Sequence, residues 1–185
     1  ADFAGELPAG LRSLGVEGRR MIPRDAAPST PSPARHVGHS VPVPVGPAEE
    51  PAYVLEVPSS VVPTYMVSNE QYFSSRERIY GFNDDGQRFV YFSRAVIAAL
   101  GALGWLPNIV HANDWHTAPV SAWLDTYGAQ LPAYQGIASL FTVHSLAYQG
   151  IYGRLLLSFG GMSTLPHLPA EQPGKVNWVA QGIAH

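Results

Sequence analysis

With 185 residues, 46% of them hydrophobic and 14% charged, the chain can build one packed domain and is too apolar to stay disordered. A formal net charge of −3 argues against a nucleic-acid or anionic-membrane surface, and the absence of cysteine excludes disulfides, zinc-thiolate sites and thiol nucleophiles. No apolar run reaches the roughly 18 residues that span a bilayer, and the opening "ADFAGELPAGLRSLG" lacks the basic and apolar regions of a secretory signal.

Leu7, Leu11 and Leu14, spaced by four and three, predict a helix that Gly15 ends. "RRMIP" reads as a short strand. Residues 24–40 are rich in Pro, Ser and Ala and read as a mobile loop or local insert. Ala52–Val57 and Val61–Val67 are strand-like runs bounded by Pro and Ser, as in a meander or hairpin, and Pro63 suggests a sheet edge. Asp84 and Asp85 can cap a long helix through "GQRFVYFSRAVIAALGALG", where Phe89, Phe92, Val96 and Ala99 or Leu100 recur at helical spacing.

"PNIVHA" is then a short apolar strand. "TAPVSAWLDTYG" is an amphipathic helix with Thr117 as its N-cap and Gly128 just past its end. "ASLFTV" is a second apolar strand, followed by the polar and aromatic loop "HSLAYQGIYG". Beyond residue 154 Pro and Gly interrupt the pattern, and a last helix begins near Lys175. Helix and strand alternate, which implies right-handed βαβ crossovers and an α/β, Rossmann-like parallel sheet with flanking helices covering both faces. A start without Met and an end inside a helical pattern read as a piece of a longer protein.

In an open parallel sheet, ligands bind beyond the carboxyl ends of the strands. "HANDWH" follows one predicted strand and "HSLAYQG" follows the next. If those strands are neighbours, Asp114 and His144 project from one rim, and two separate loops converge on one crevice. Each residue also has a purely structural use. A His after a strand can bond a carbonyl, Asp114 can serve a helix N-terminus, Trp115 suits packing more than stacking on a ligand, His111 closes a strand, and Tyr148 and Gln149 can fill a loop. Together they favour a sugar- or phosphate-handling crevice. His111, Asp114, His116 and His144 could supply an N/O metal site, but no HxxxH pair marks a helix face, and no metal is expected. No GxSxG elbow, P-loop or GxGxxG motif is present.

"YGFNDDGQRFVYFSRA", "GWLPNIVHANDWHTAPV", "FTVHSLAYQGIY" and "GKVNW" resemble, in order and spacing, the bacterial glycogen synthases and plant starch synthases. The family forms are close to YGxxDNxxRFxxFSRA, PDIxHxHDWHTALVP, FTIHNLAYQG and GKVNFLKGGI. The opening "ADFAGELPAGLRSLGVEGRRMIPR" resembles ADVVGALPKALAALGHEVRVxLPR, so the likeness spans nearly the whole chain except the Pro- and Ser-rich piece.

The resemblance implies a GT-B architecture of two Rossmann-like domains. Residues 1–185 would be part of the N-terminal one, and the C-terminal nucleotide-binding domain would be the missing partner. The implied reaction moves glucose from ADP-glucose, or UDP-glucose in some relatives, to the non-reducing end of an α-1,4-glucan with retention. It needs no cofactor, nucleic acid or membrane, and it implies the bacterial cytoplasm, or a plastid for a plant or algal source. By the same resemblance His144 and Asp114 are catalytic, with His144 holding the transferring glucosyl group. Asp2, Ser145, Gln149 and Gly150 belong to substrate binding or to the shape of its loop.

The departures are specific. The KxGGL loop is not in the chain, Ser145 stands for Asn, Phe82 for Tyr, and Asn113 for the middle His of HxHDWH. By this resemblance the isolated chain is expected to be inactive. Two other readings are a non-catalytic glucan-binding module derived from the fold and a metal-dependent hydrolase using the histidines.

Overall fold

The computed structural model describes residues 3–26, 34–58 and 62–185. They form two compact units, one of residues up to 41 with 51–80, the other of 42–50 with 81–185. In chain order the elements are α1 (Phe3–Ser13), β1 (Arg20–Pro23), β2 (Arg35–His36), β3 (Val41–Val45), β4 (Ala48–Val57), β5 (Thr64–Ser68), α2 (Asp85–Ala102), β6 (Ile109–Asn113), α3 (Asp114–Thr126), β7 (Ala138–Thr142), β8 (Ile151–Gly153), α4 (Leu155–Phe159), β9 (Lys175–Asn177) and α5 (Trp178–Ala184). The class is α/β, as the pattern predicts.

In the first unit α1 ends as its sequence dictates. The Gly15 N–H donates to the Arg12 carbonyl and the Val16 N–H reaches back to Leu11, with Gly15 at φ +83°. Leu14 lies past the helix and is 79% exposed, so only Leu7 and Leu11 keep partial burial. The sheet order is β1-β5-β4-β2, with β1 parallel to β5 and both β4 and β2 in antiparallel pairs. The expectation of a purely parallel sheet therefore gives way to a mixed one.

β5 is central and buried throughout, which corrects the edge position inferred from Pro63. Pro63 immediately precedes the strand, where its missing N–H costs no ladder bond, and its carbonyl still accepts from the Arg20 N–H at 2.9 Å. Leu55, Val57 and Met66 form the apolar cluster, with Ile22 and Ala34 against it. The segment read as a loop over 24–40 contains β2, whose Arg35 and His36 pair with Glu56 and Leu55; residues 27–33 fall outside the described residues. A π-helical turn, Glu70–Ser74, is capped by the Asn69 carboxamide, which accepts from the Gln71 and Tyr72 amides.

In the second unit α2 buries Phe89, Val90, Phe92, Val96, Ile97 and Leu100, including every position the helical spacing selected. Asp84 makes no side-chain cap. Asp85 instead accepts from the Gly81 and Phe82 amides at 2.6 and 3.1 Å and pairs with the fully buried Arg88. The Arg88 guanidinium also sits 4.7 Å from the Phe82 ring centre, so the turn into α2 is clamped from both ends. β6 and β7 are parallel neighbours, and α3 crosses over them, with Ser139 of β7 bonded to Ser121 of α3 at 2.6 Å. On these strands Ile109 is 58% and Leu140 50% exposed. "IYG" is the strand β8, antiparallel to β9 rather than a continuing loop. β9 takes the first residues assigned to the last helix, which begins at Trp178.

Candidate active site

The parallel register pairs Asn113 with Thr142, so β6 and β7 end side by side. Each chain leaves the sheet at that carboxyl edge, one into α3 and the other into the loop 143–150. Asp114 is the first residue out of β6, and at φ +56° it is the only non-glycine at positive φ among the described residues. Left-handed backbone costs an ordinary residue about 1–2 kcal/mol and Asp less than most. What holds it is a bond to the neighbouring loop. Its Oδ1 accepts from the His144 N–H at 2.8 Å and the Ser145 N–H at 3.4 Å. Asp114 and His144 thus share one rim, as the strand order requires.

The imidazole is fixed as well. His144 Nε2 lies 3.0 Å from Asn113 Oδ1, and Asn113 Nδ2 donates to the His111 carbonyl at 3.3 Å. An amide that donates through its nitrogen presents its oxygen to His144, so Nε2 carries the proton in that bond. His111 in turn lies 2.7 Å from the Thr142 hydroxyl. Burial, and next the neighbouring His144, push the His111 pKa below its ordinary value. Thr117 does not cap α3, whose N-cap is Asn113, four residues earlier than predicted. Its hydroxyl accepts from the Asn113 N–H at 2.5 Å and donates to the Asn113 carbonyl at 2.8 Å, locking the strand-to-helix turn.

Beneath the rim is an aromatic floor. Trp115 is buried and stacks on His116 at 4.1 Å, and the Phe89 edge meets both rings, at 5.4 and 4.4 Å. Burial lowers the His116 pKa to about 4, overcoming the opposing pull of Asp114 and Asp85, so this ring is neutral at pH 7. Tyr152 lies 5.5 Å from the Trp115 ring, its phenol pushed up to about 12 by burial and then by Asp85.

Gly150 closes the loop at φ +64°, where a Cβ would stand 2.6–2.8 Å from three Trp115 atoms. The close approach that requires glycine there is to Trp115. Gln149 is tied inward, its Oε1 accepting from Asn177 at 2.7 Å and its Nε2 donating to the Leu146 carbonyl at 3.2 Å. Ser145 turns its hydroxyl to the Ala147 amide, while Tyr148 is 75% exposed.

Of the residues singled out in the sequence, His144, Asp114, Ser145, Gln149 and Gly150 therefore gather on one loop and its anchor. Asp2 lies outside the described residues. No group of three or more His, Asp or Glu side chains suited to a metal occurs among the described residues. Asn113, Thr142 and Asn177 were not foreseen as parts of the site. The signal for Asn113 was its place in the HxHDWH motif, and for Asn177 its place in GKVNW; the pairing of Asn177 with Gln149, 28 positions away, had no signal in the local pattern.

Residues 1–185 match the family described as the starch synthase catalytic domain. The chain belongs to that family. It is 38% identical over 154 residues to a glycogen synthase of Caldicellulosiruptor saccharolyticus, covering 82% of this chain and 32% of the relative. A glycogen synthase of Geobacillus thermodenitrificans is also 38% identical, over 160 residues, 85% of this chain and 32% of that one. The chain thus spans about a third of the length of the curated relatives it matches. Its fold follows the catalytic domain of starch synthase IV from Arabidopsis thaliana, a structure bound to ADP and acarbose, with a TM-score of 0.86 and 24% identity over 98% of this chain and 39% of that chain. No described helix is long and apolar enough to cross a membrane.

Proposed function

We propose that this chain is the N-terminal part of a retaining glucosyltransferase of the GT-B type that extends an α-1,4-glucan from ADP-glucose in the cytoplasm of a bacterium. The observation that carries the reading is the Asp114 carboxylate holding the His144 main chain, with the His144 ring held by Asn113, at the carboxyl edge of two parallel strands. The family it belongs to and the ADP and acarbose named for the Arabidopsis structure support the substrate class.

Glucosyl transfer builds positive charge on the sugar and negative charge on the departing diphosphate, so a site made of fixed dipoles lowers the barrier without moving a proton of its own. Here the exposed imidazole of His144 would face the glucosyl hydroxyls, and Asp114 would keep the loop at the correct height. The diphosphate would be met by a second, C-terminal domain, and closing the two together would exclude water and favour transfer over hydrolysis. Ser145 and Gln149 are proposed to border this cleft, and Asp2 is proposed to take part in substrate binding. A glucan-binding module without catalysis has no observation in its favour over this reading.

The test is His144→Ala in the full-length protein. Turnover with ADP-glucose and glycogen is expected to fall at least about 100-fold, as for loss of one preorganised electrostatic contact, with unchanged melting. A variant that turns over at the parental rate removes His144 from the mechanism.

A further inference from the structure

Asn177 serves two elements with one carboxamide. It is the N-cap of α5, its Oδ1 accepting from the Ala180 N–H at 3.1 Å, and its Nδ2 donates to Gln149 Oε1 at 2.7 Å. Gln149 passes the contact on to the Leu146 carbonyl. Main-chain bonds reinforce the seam, from the Trp178 and Val179 amides to the Gly150 and Gln149 carbonyls at 3.2 and 3.1 Å.

The seam itself is anchored from behind. Asn177 is 5% exposed, and its N–H donates at 2.9 Å to Glu171, whose carboxylate is also buried. Glu171 further accepts from the Gln181 side chain at 2.9 Å and the Leu168 N–H at 3.0 Å, and faces Arg154 and His167 at 3.3 Å. Burial alone would raise the Glu171 pKa. The hydrogen bonds from Gln181, Asn177 and Leu168 and the Arg154 charge outweigh it and lower the value, so the anchor stays ionised.

The loop needs such an anchor. Residues 144–148 are all exposed and belong to no strand or helix, so no core packing sets the course of their backbone. Their conformation is set at the two ends: Asp114 holds the His144 and Ser145 amides at the front, and Asn177 holds Gln149 at the rear. We propose that Asn177 is a positioning residue for the His144 loop, acting through Gln149 so that the imidazole is presented at a fixed distance from Asp114. The inference rests on the reading that this loop handles the glucosyl group, but its structural half can be measured without any substrate.

The discriminating variant is Asn177→Asp in the full-length protein. Aspartate keeps an acceptor for the Ala180 N–H, and a carboxylate suits a helix N-terminus. It has no N–H for Gln149, whose carboxamide must turn round and abandon Leu146. Gln149→Leu removes both the Asn177 and the Leu146 contacts from the loop side and leaves the cap intact, and it decides the question alone if the first variant does not fold.

Losing part-buried bonds of this kind shifts a local equilibrium by roughly ten-fold. Both variants should therefore exchange the amides of residues 143–150 about ten-fold faster, with kcat lowered about ten-fold and KM for ADP-glucose within about three-fold. Unchanged loop exchange overturns the inference. Faster exchange with parental kcat overturns it too, because the loop would then not need to be held. A parental protein with no glucosyl transfer would sink the proposed function while the exchange measurement still decides whether Asn177 fixes the loop.

Discussion

Replacing Gly150 by alanine tests whether the loop is locked against Trp115 as the distances require. Two costs add. A non-glycine residue at φ +64° loses about 1–2 kcal/mol to left-handed backbone. The new methyl would lie 2.6 Å from Trp115 Cε3 and 2.8 Å from its Cβ and Cδ2, closer than carbon atoms approach, and Trp115 is itself buried against Phe89 and His116. Overpacking of this kind costs about 1–3 kcal/mol. The sum is about 3 kcal/mol, which for a chain of this size lowers Tm by about 6–12 °C.

Gly46 supplies the internal control. Its φ is +57° and nothing lies within 4 Å of a Cβ built there, so Gly46→Ala carries only the backbone cost, about 1–2 kcal/mol and about 2–8 °C. Thermal melts of both variants by circular dichroism, with chemical denaturation to obtain ΔG, separate the two costs. A Trp115→Leu background should bring the Gly150→Ala penalty down to the Gly46 value, as a double-mutant cycle would reveal. Equal losses for the two glycine variants in the parental background would refute the argument that the Trp115 ring, rather than backbone conformation alone, demands glycine.

His116 should give the protein an acid-sensitive stability. Its folded pKa of about 4 lies below the ordinary 6.5, so between those values the unfolded chain binds a proton that the native state refuses. The contribution is complete above about pH 6.5 and falls away towards pH 4, a loss on the order of 3 kcal/mol; urea titrations of His116→Phe, which keeps the aromatic contacts, should show a shallower decline over that range, and an identical slope would exclude His116 as its source. Asp114→Asn should cut turnover about ten-fold, because the amide still accepts from His144 and tolerates the left-handed backbone but loses the charge assistance. Asp114→Ala should do at least about ten-fold worse than that, and steady-state kinetics that rank the two the other way would detach Asp114 from the His144 main chain.

Local patterns in the chain were enough to lay out the elements around the site. Helical spacing located α2 and its buried face, alternation of apolar runs located β6, α3 and β7, and the order of those runs put Asp114 and His144 on one rim. These are short-range signals: a period of 3.6, a short apolar run, a glycine after a helix. They also sufficed for the family motifs, which lie within continuous stretches. The remaining features came from tertiary contacts, because each joins residues far apart in the chain. The antiparallel pairing that makes β5 central despite Pro63, the left-handed Asp114 held by an amide 30 residues away, the Trp115 ring that forbids a side chain at Gly150 and the Glu171–Asn177–Gln149 relay all depend on packing partners that local periodicity does not specify. Thr117 shows the division at a single residue. Its type announced a helix start, but burial of Trp115 and the pull of His144 on Asp114 moved that start to the strand's last residue.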